Sequence, residues 1–184
     1  MFKSVEGFVE VEGGKVWYQV VGEEKNTPLL YLHGGPGVPH YPFGSLETLA
    51  DERQVIFYHQ LGCGKSERPK DSNLWVLSRF VEELENVKEY LGLGKIHVLG
   101  HSWGSTLAAE YALLHQEDVR SIVFASPLLS TSRWLEDTNR LKRELPLDIQ
   151  NAITVNEERG TTDTDDYKNA SQEFDKRFRY GVWP

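Results

Sequence analysis

The chain is expected to fold as an α/β protein, with a mostly parallel sheet opened by an N-terminal hairpin and a run of helices at its carboxyl-terminal end. Three observations carry that expectation. Short apolar runs at 29–32, 55–58, 96–99 and 119–125 are separated by longer segments with helical spacing. Glycine-rich clusters follow three of those runs, at 33–37, 59–66 and 100–104. Composition then shifts, because residues 131–184 hold 20 charged side chains in 54 against 28 in the first 130.

Residues 8–12 alternate apolar and polar side chains, Gly13-Gly14 supplies a turn, and 15–21 returns, which reads as a hairpin. The runs 29–32 and 55–58 are buried strands separated by a loop and a short helix. Between 77 and 91, Leu77, Phe80, Val81, Leu84, Val87 and Leu91 form one helical stripe with acidic residues between them. A strand at 96–99, a helix at 103–115 and a strand at 119–125 complete an alternation that requires right-handed crossovers and a parallel sheet. The strand at 119–125 is left as a bare sheet edge, an aggregation hazard. Beyond 130 the segments 133–145, 147–158 and 167–179 read as largely wetted helices. The expected division is a core at 1–129 and a partial helical cap, or lid, at 130–184.

Gly100-His101-Ser102-Trp103-Gly104 fits the Gly-x-Ser-x-Gly pattern of a nucleophile elbow, and it stands between a strand and a helix as that turn requires. A Cβ on either flanking glycine would collide with neighbouring backbone. The competing reading is a glycine-rich connection with an idle serine. A second cluster, His33-Gly34-Gly35-Pro36-Gly37, follows the strand at 29–32. Attack by a serine on a carbonyl needs two preorganised N–H donors for the oxyanion, one from the residue after the nucleophile and one from such a loop. The candidate donors are therefore the amides of Trp103 and Gly35. The third cluster, His59-Gln60-Leu61-Gly62-Cys63-Gly64-Lys65-Ser66, fails as a phosphate loop because position 59 is not glycine. It reads as a tight loop at a strand end beside the same site.

Together these clusters resemble the proline iminopeptidase branch of the α/β-hydrolase superfamily. Its pattern is His-Gly-Gly-Pro-Gly, Asp-Gln-x-Gly-x-Gly-x-Ser and Gly-x-Ser-Trp-Gly-Gly/Ser, matched here at 33–37, 59–66 and 100–105. The likeness continues through Ser126-Pro127-Leu128-Leu129 and Gly160-Thr161-Thr162-Asp163, so it covers nearly the whole chain. One departure is plain: His59 replaces an aspartate expected to brace nearby loops through backbone N–H bonds. The resemblance implies a serine aminopeptidase that releases N-terminal proline from short peptides through an acyl-enzyme. It also implies acidic cap residues that recognise a free α-ammonium group, with Glu173 as the candidate beside Glu157 and Glu158.

A Ser–acid–His triad of this fold runs in that chain order. The six histidines are His33, His40, His59, His97, His101 and His115. None lies downstream of His115, which itself sits about 18 Å from Ser102 along the elbow helix by helical rise. His97 and His101 imitate metal-ligand spacing, but that spacing converges on a helix and His97 lies in a strand. Family members continue beyond this point with two more strands carrying the acid and the base, whereas this chain stops inside the lid at Gly181-Val182-Trp183-Pro184. The chain is thus expected to be an N-terminal fragment, truncated before the last strands and nearly inert alone.

Net charge is −8 and no basic run could follow a phosphate backbone, which disfavours nucleic acid. There is no apolar stretch long enough to span a membrane and no apolar leader after Met1. The single cysteine, Cys63, suits a reducing cytoplasm and serves either as a thiol-sensitive group or as an apolar filler. The expected partners are a short peptide and the chain's own missing C-terminal segment, with no cofactor and no metal. Two other functions stay open: an esterase or amino-acid amidase on the same elbow, and a binding module that kept the pocket without the base.

Overall fold

A computed structural model describes residues 2–179. The strands and helices are β1 (Ser4–Val11), β2 (Gly14–Val21), β3 (Leu29–Leu32), β4 (Val55–Tyr58), α1 (Leu77–Tyr90), β5 (Ile96–His101), α2 (Trp103–Leu114), β6 (Val119–Ala125), α3 (Thr131–Lys142), α4 (Leu147–Arg159) and α5 (Asp165–Phe178). Gly181-Val182-Trp183-Pro184 lies outside the described residues. The chain divides into two units, the first ending at Leu129 and the second starting at Ser130.

In the first unit a six-stranded sheet runs in the order β1-β2-β4-β3-β5-β6. The hairpin β1–β2 is antiparallel, and β2 meets β4 antiparallel. From β4 onward every pairing is parallel. β3 and β4 are buried along their whole length, as continuous apolar runs covered on both faces should be. On one face Leu30, Leu32, Ile56, Tyr58 and Val98 pack against Leu84 and Val87 of α1 and Leu107 and Tyr111 of α2. On the other, Tyr31, Val55 and Phe57 pack with Ala50 and the half-buried Phe43, Leu46 and Leu49 of a 3-10 segment, Tyr41–Asp51. β6 ends the order and, among the described residues, pairs only with β5.

Two strand boundaries differ from the sequence reading by two residues or more, and α3 runs 131–142 where 133–145 was expected. β1 begins at Ser4 because Ser4 to Gly7 pair in register with β2, although Ser4, Val5 and Glu6 are all exposed and carry no alternation. β5 extends through Gly100 and His101, which pair with Phe124 and Ala125.

In the second unit, α4 and α5 meet around Leu145, Ile153, Ala170 and Phe174, whereas α3 buries no residue fully. α4 stops at Gly160, whose φ of 67° is the left-handed C-cap conformation. Asn156 staples the following turn, its Oδ1 accepting the hydroxyls of Thr161 at 2.7 Å and Thr164 at 3.0 Å. Thr164 caps α5 in turn, accepting the Tyr167 N–H at 3.4 Å.

Candidate active site

Ser102 sits between β5 and α2 with φ 52° and ψ −118°. A non-glycine residue avoids this region unless its surroundings hold it there. Backbone bonds do so: Ser102 N–H donates to Ala125 O at 3.1 Å, and Ser102 O accepts from Ser105 N at 2.9 Å and Leu128 N at 3.3 Å. The side chain is half-buried. Gly104, the second residue of α2, lies directly on the end of β3, where an added Cβ would overlap the carbonyl of Leu32 and come within 2.8 Å of His33 O. The elbow can therefore form only if position 104 has no side chain.

The loop 33–37 abuts the serine. A Cβ built on Gly34 would lie 2.8 Å from His101 Nδ1 and 3.2 Å from Ser102 Cβ. Gly35 follows with φ +119°, a backbone that L side chains rarely adopt. The candidate nucleophile and the candidate donor loop thus share one end of the sheet. Trp103 fixes its ring edge-on to Phe80, with centroids 5.7 Å apart, and its indole N–H donates to Gln60 Oε1 at 2.9 Å. An apolar cavity of about 480 Å³ opens beside them, lined by Pro36, Gly37, Leu61, Trp75, Phe80 and Trp103 among others.

The histidine rings are engaged elsewhere. His33 accepts the Gln60 N–H at Nε2 (3.0 Å), so its proton is on Nδ1, facing Gly34 O at 2.9 Å. His59 accepts the Lys65 N–H at Nδ1 (3.0 Å), and its Nε2–H then donates to His40 Nδ1 at 3.0 Å. All three are neutral in this arrangement. Burial pushes His33 down to about 4 and His59 to about 3, and lowers His40 as well. The His59 ring, packed 4.4 Å from Trp17, thereby supplies the N–H acceptor expected of the family's aspartate. The loop is braced by an imidazole instead of a carboxylate.

His97 bonds Ser121 Oγ at 2.7 Å, and His101 packs 4.7 Å from Phe43. His115 is no plain surface residue: it stacks 4.6 Å from Tyr111 and meets Glu85 and Asp118. Glu85, His115 and Asp118 bring potential ligand atoms within 4.8 Å of one another. The Lys88 ammonium, 3.3 Å from both carboxylates, already offsets one of their two charges.

Cys63 is buried and its thiol is pushed up to about 11 by desolvation, which suits a filler better than a reactive group. Glu173, on α5, is exposed and pairs with Lys176 Nζ at 2.6 Å. Glu157 pairs with Lys142 at 2.7 Å, and Glu158 is exposed. The residue that sequence reasoning passed over is Gln60, read only as part of a motif. Its signal was a polar side chain two residues beyond the end of a wholly apolar strand.

A sequence profile of the α/β hydrolase fold matches residues 27–179. The proline iminopeptidase of Heyndrickxia coagulans is 49% identical over 174 residues, which is 94% of this chain and 60% of that protein. The proline iminopeptidase of Lactobacillus helveticus is 40% identical over 175 residues, with 92% and 60% covered. Among solved structures, a proline iminopeptidase from Mycobacterium smegmatis superposes with a TM-score of 0.85 at 33% identity, covering 98% of this chain and 63% of that one. VinJ gives 0.90 at 32% identity, with 98% and 64% covered. The chain spans about 60% of the length of the curated relatives it matches.

Proposed function

The chain belongs to the α/β hydrolase family, and on that premise we propose that it carries the nucleophile and oxyanion half of a serine aminopeptidase that releases N-terminal proline from short peptides. Proline is chosen because relatives 49% and 40% identical are named proline iminopeptidases. The observation that carries the reading is the strained Ser102 with Gly34 against its Cβ.

Ser102 Oγ attacks the scissile carbonyl, and the developing oxyanion is held by the amides of Gly35 and Trp103. The proton goes to a histidine supplied from outside these 184 residues, oriented by an acid also from outside. That histidine returns the proton to the leaving amine, and water then hydrolyses the prolyl-enzyme. The compartment we propose is a reducing cytoplasm, which a chain with one cysteine suits. Among the described residues no helix is long and apolar enough to cross a membrane.

Two comparisons test this. In the complete protein, Ser102→Ala is expected to lower turnover of a prolyl arylamide by about 10⁶-fold and to abolish labelling by a fluorophosphonate. The 184-residue chain alone is expected to retain at most about 10³–10⁴ over water. Equal turnover by the Ser102→Ala protein, or preference for an aryl ester with no prolyl arylamide cleavage, would remove the reading.

A further inference from the structure

Gln60 stands at the carboxyl end of β4 and is only 1% exposed. Its backbone N–H donates to His33 Nε2 at 3.0 Å, its Nε2 donates to His33 O at 3.3 Å, and its Oε1 accepts the Trp103 indole N–H at 2.9 Å. His33 Nδ1–H in turn donates to Gly34 O at 2.9 Å. In the sheet, β3 lies between β4 and β5. The glutamine therefore reaches across the end of β3, ties down the start of the loop 33–37, and finishes on the residue after Ser102. Its amide has one permitted orientation, since an indole N–H only donates and a peptide carbonyl only accepts.

We propose that Gln60 is a positioning residue that sets the separation between the two oxyanion donors, the amides of Gly35 and Trp103. This rests on the serine-hydrolase reading above. The donors belong to different elements, the loop after β3 and the first turn of α2, and a single oxygen must lie within hydrogen-bond distance of both. A displacement of 1 Å between such groups costs about 10² in rate. Glutamine fits the task by chemistry. Glutamate would face His33 O with a second acceptor and bury an unpaired charge. Methionine would fill similar volume yet leave the Trp103 N–H and His33 O without partners. Asparagine is one methylene short of the span.

The test uses the complete protein with Gln60→Met and Trp103→Phe, alone and together. Three quantities are read: kcat and KM on a prolyl arylamide, inhibition by a prolyl boronate whose tetrahedral adduct places an oxygen between the donors, and inhibition by free proline. Expected are a kcat loss of about 10²-fold with KM nearly unchanged, boronate inhibition weakened in parallel, and proline inhibition unaltered. Because both substitutions delete one shared bond, the double variant is expected to be no slower than the slower single. A lowered thermal midpoint with kcat and the boronate-to-proline ratio of the folded enzyme unchanged would overturn the proposal. If Gln60→Met fails to fold, Trp103→Phe, which keeps an aromatic ring at the position and removes the N–H, decides alone. Failure of the wild-type protein to be labelled at Ser102 would instead remove the underlying reading; labelled wild type with fully active variants would remove only the role of Gln60.

Discussion

His59 shows how one residue can keep a local function while changing its chemistry. An aspartate at this place accepts N–H bonds as an anion; the imidazole accepts the Lys65 N–H through neutral Nδ1. Protonation of His59 would place a second N–H against that donor. Burial, which disfavours the charged ring, holds His59 at about 3 and His33 at about 4 in the folded state, while an unfolded histidine titrates near 6.5. Between those values the unfolded chain binds more protons than the folded one, so stability falls as pH drops from about 6.5 toward 4 and is unaffected by these groups above 6.5. Glu83 acts with the opposite sign. Burial raises it to about 7 against the pull of Arg79 and the Leu61 amide, so its contribution is present below the unfolded carboxyl value and is lost as pH rises through about 7. His59→Asn removes one titrating ring and leaves Glu83 in place. The urea midpoint of the wild-type chain is expected to fall more steeply from pH 7 to pH 4 than that of the variant, by about 1–3 kcal/mol in stability. Parallel pH profiles would show that His59 is not a source of acid sensitivity. Ser102 was legible in sequence because its signal is local, a pentapeptide between a strand and a helix. The histidine network was not, since His59 comes from a different loop than His33 and His40 and their tautomers depend on tertiary partners.

At the scale of elements, the elbow couples β3, β5 and α2 through contacts that only glycine permits. Gly104 rests on the carbonyls of Leu32 and His33, so a methyl group there must push α2 off the end of β3. Gly104→Ala is expected to destabilise the chain by more than about 3 kcal/mol, at the severe end for a point substitution, although alanine is the better helix former. Its comparison is Gly92→Ala: that added Cβ meets nothing within 4 Å, and the only strain comes from a φ of +63°. A urea midpoint for Gly104→Ala equal to that of Gly92→Ala would show that the close packing is not obligatory. The buried strands β3 and β4 were readable as unbroken apolar runs bounded by glycine-rich loops. The start of β1 was not, because Ser4 to Gly7 are held by pairing with β2 while the side chains of Ser4, Val5 and Glu6 are exposed.

At the scale of the whole chain, the rise in charge after residue 130 coincides with a change in how the protein is held together. The first unit buries both faces of β3 and β4 under two apolar clusters. The second has one small cluster, Leu145, Ile153, Ala170 and Phe174, and α3 adds no fully buried side chain to it. Hydrophobic stabilisation scales with apolar area removed from water, and a unit this short removes a smaller fraction of it. The two units therefore need not unfold together, and a single unfolding free energy would misdescribe the chain. Native-state hydrogen exchange is expected to rank the helices and strands, with α3 amides opening first, α4 and α5 next, and β3, β4 and β5 last. The gap between α3 and the central strands is expected to exceed about 2 kcal/mol in opening free energy, within the range spanned by local and global opening. The Asn156 staple gives the ranking an internal control. Asn156→Ala removes the side-chain oxygen that the hydroxyls of Thr161 and Thr164 share, leaving them only backbone acceptors, and should speed exchange in α4 and α5 without changing β3 or β4. Protection in α3 as high as in β4, or strand amides that accelerate with the Asn156 substitution, would mean that the chain opens as one cooperative body despite its uneven core.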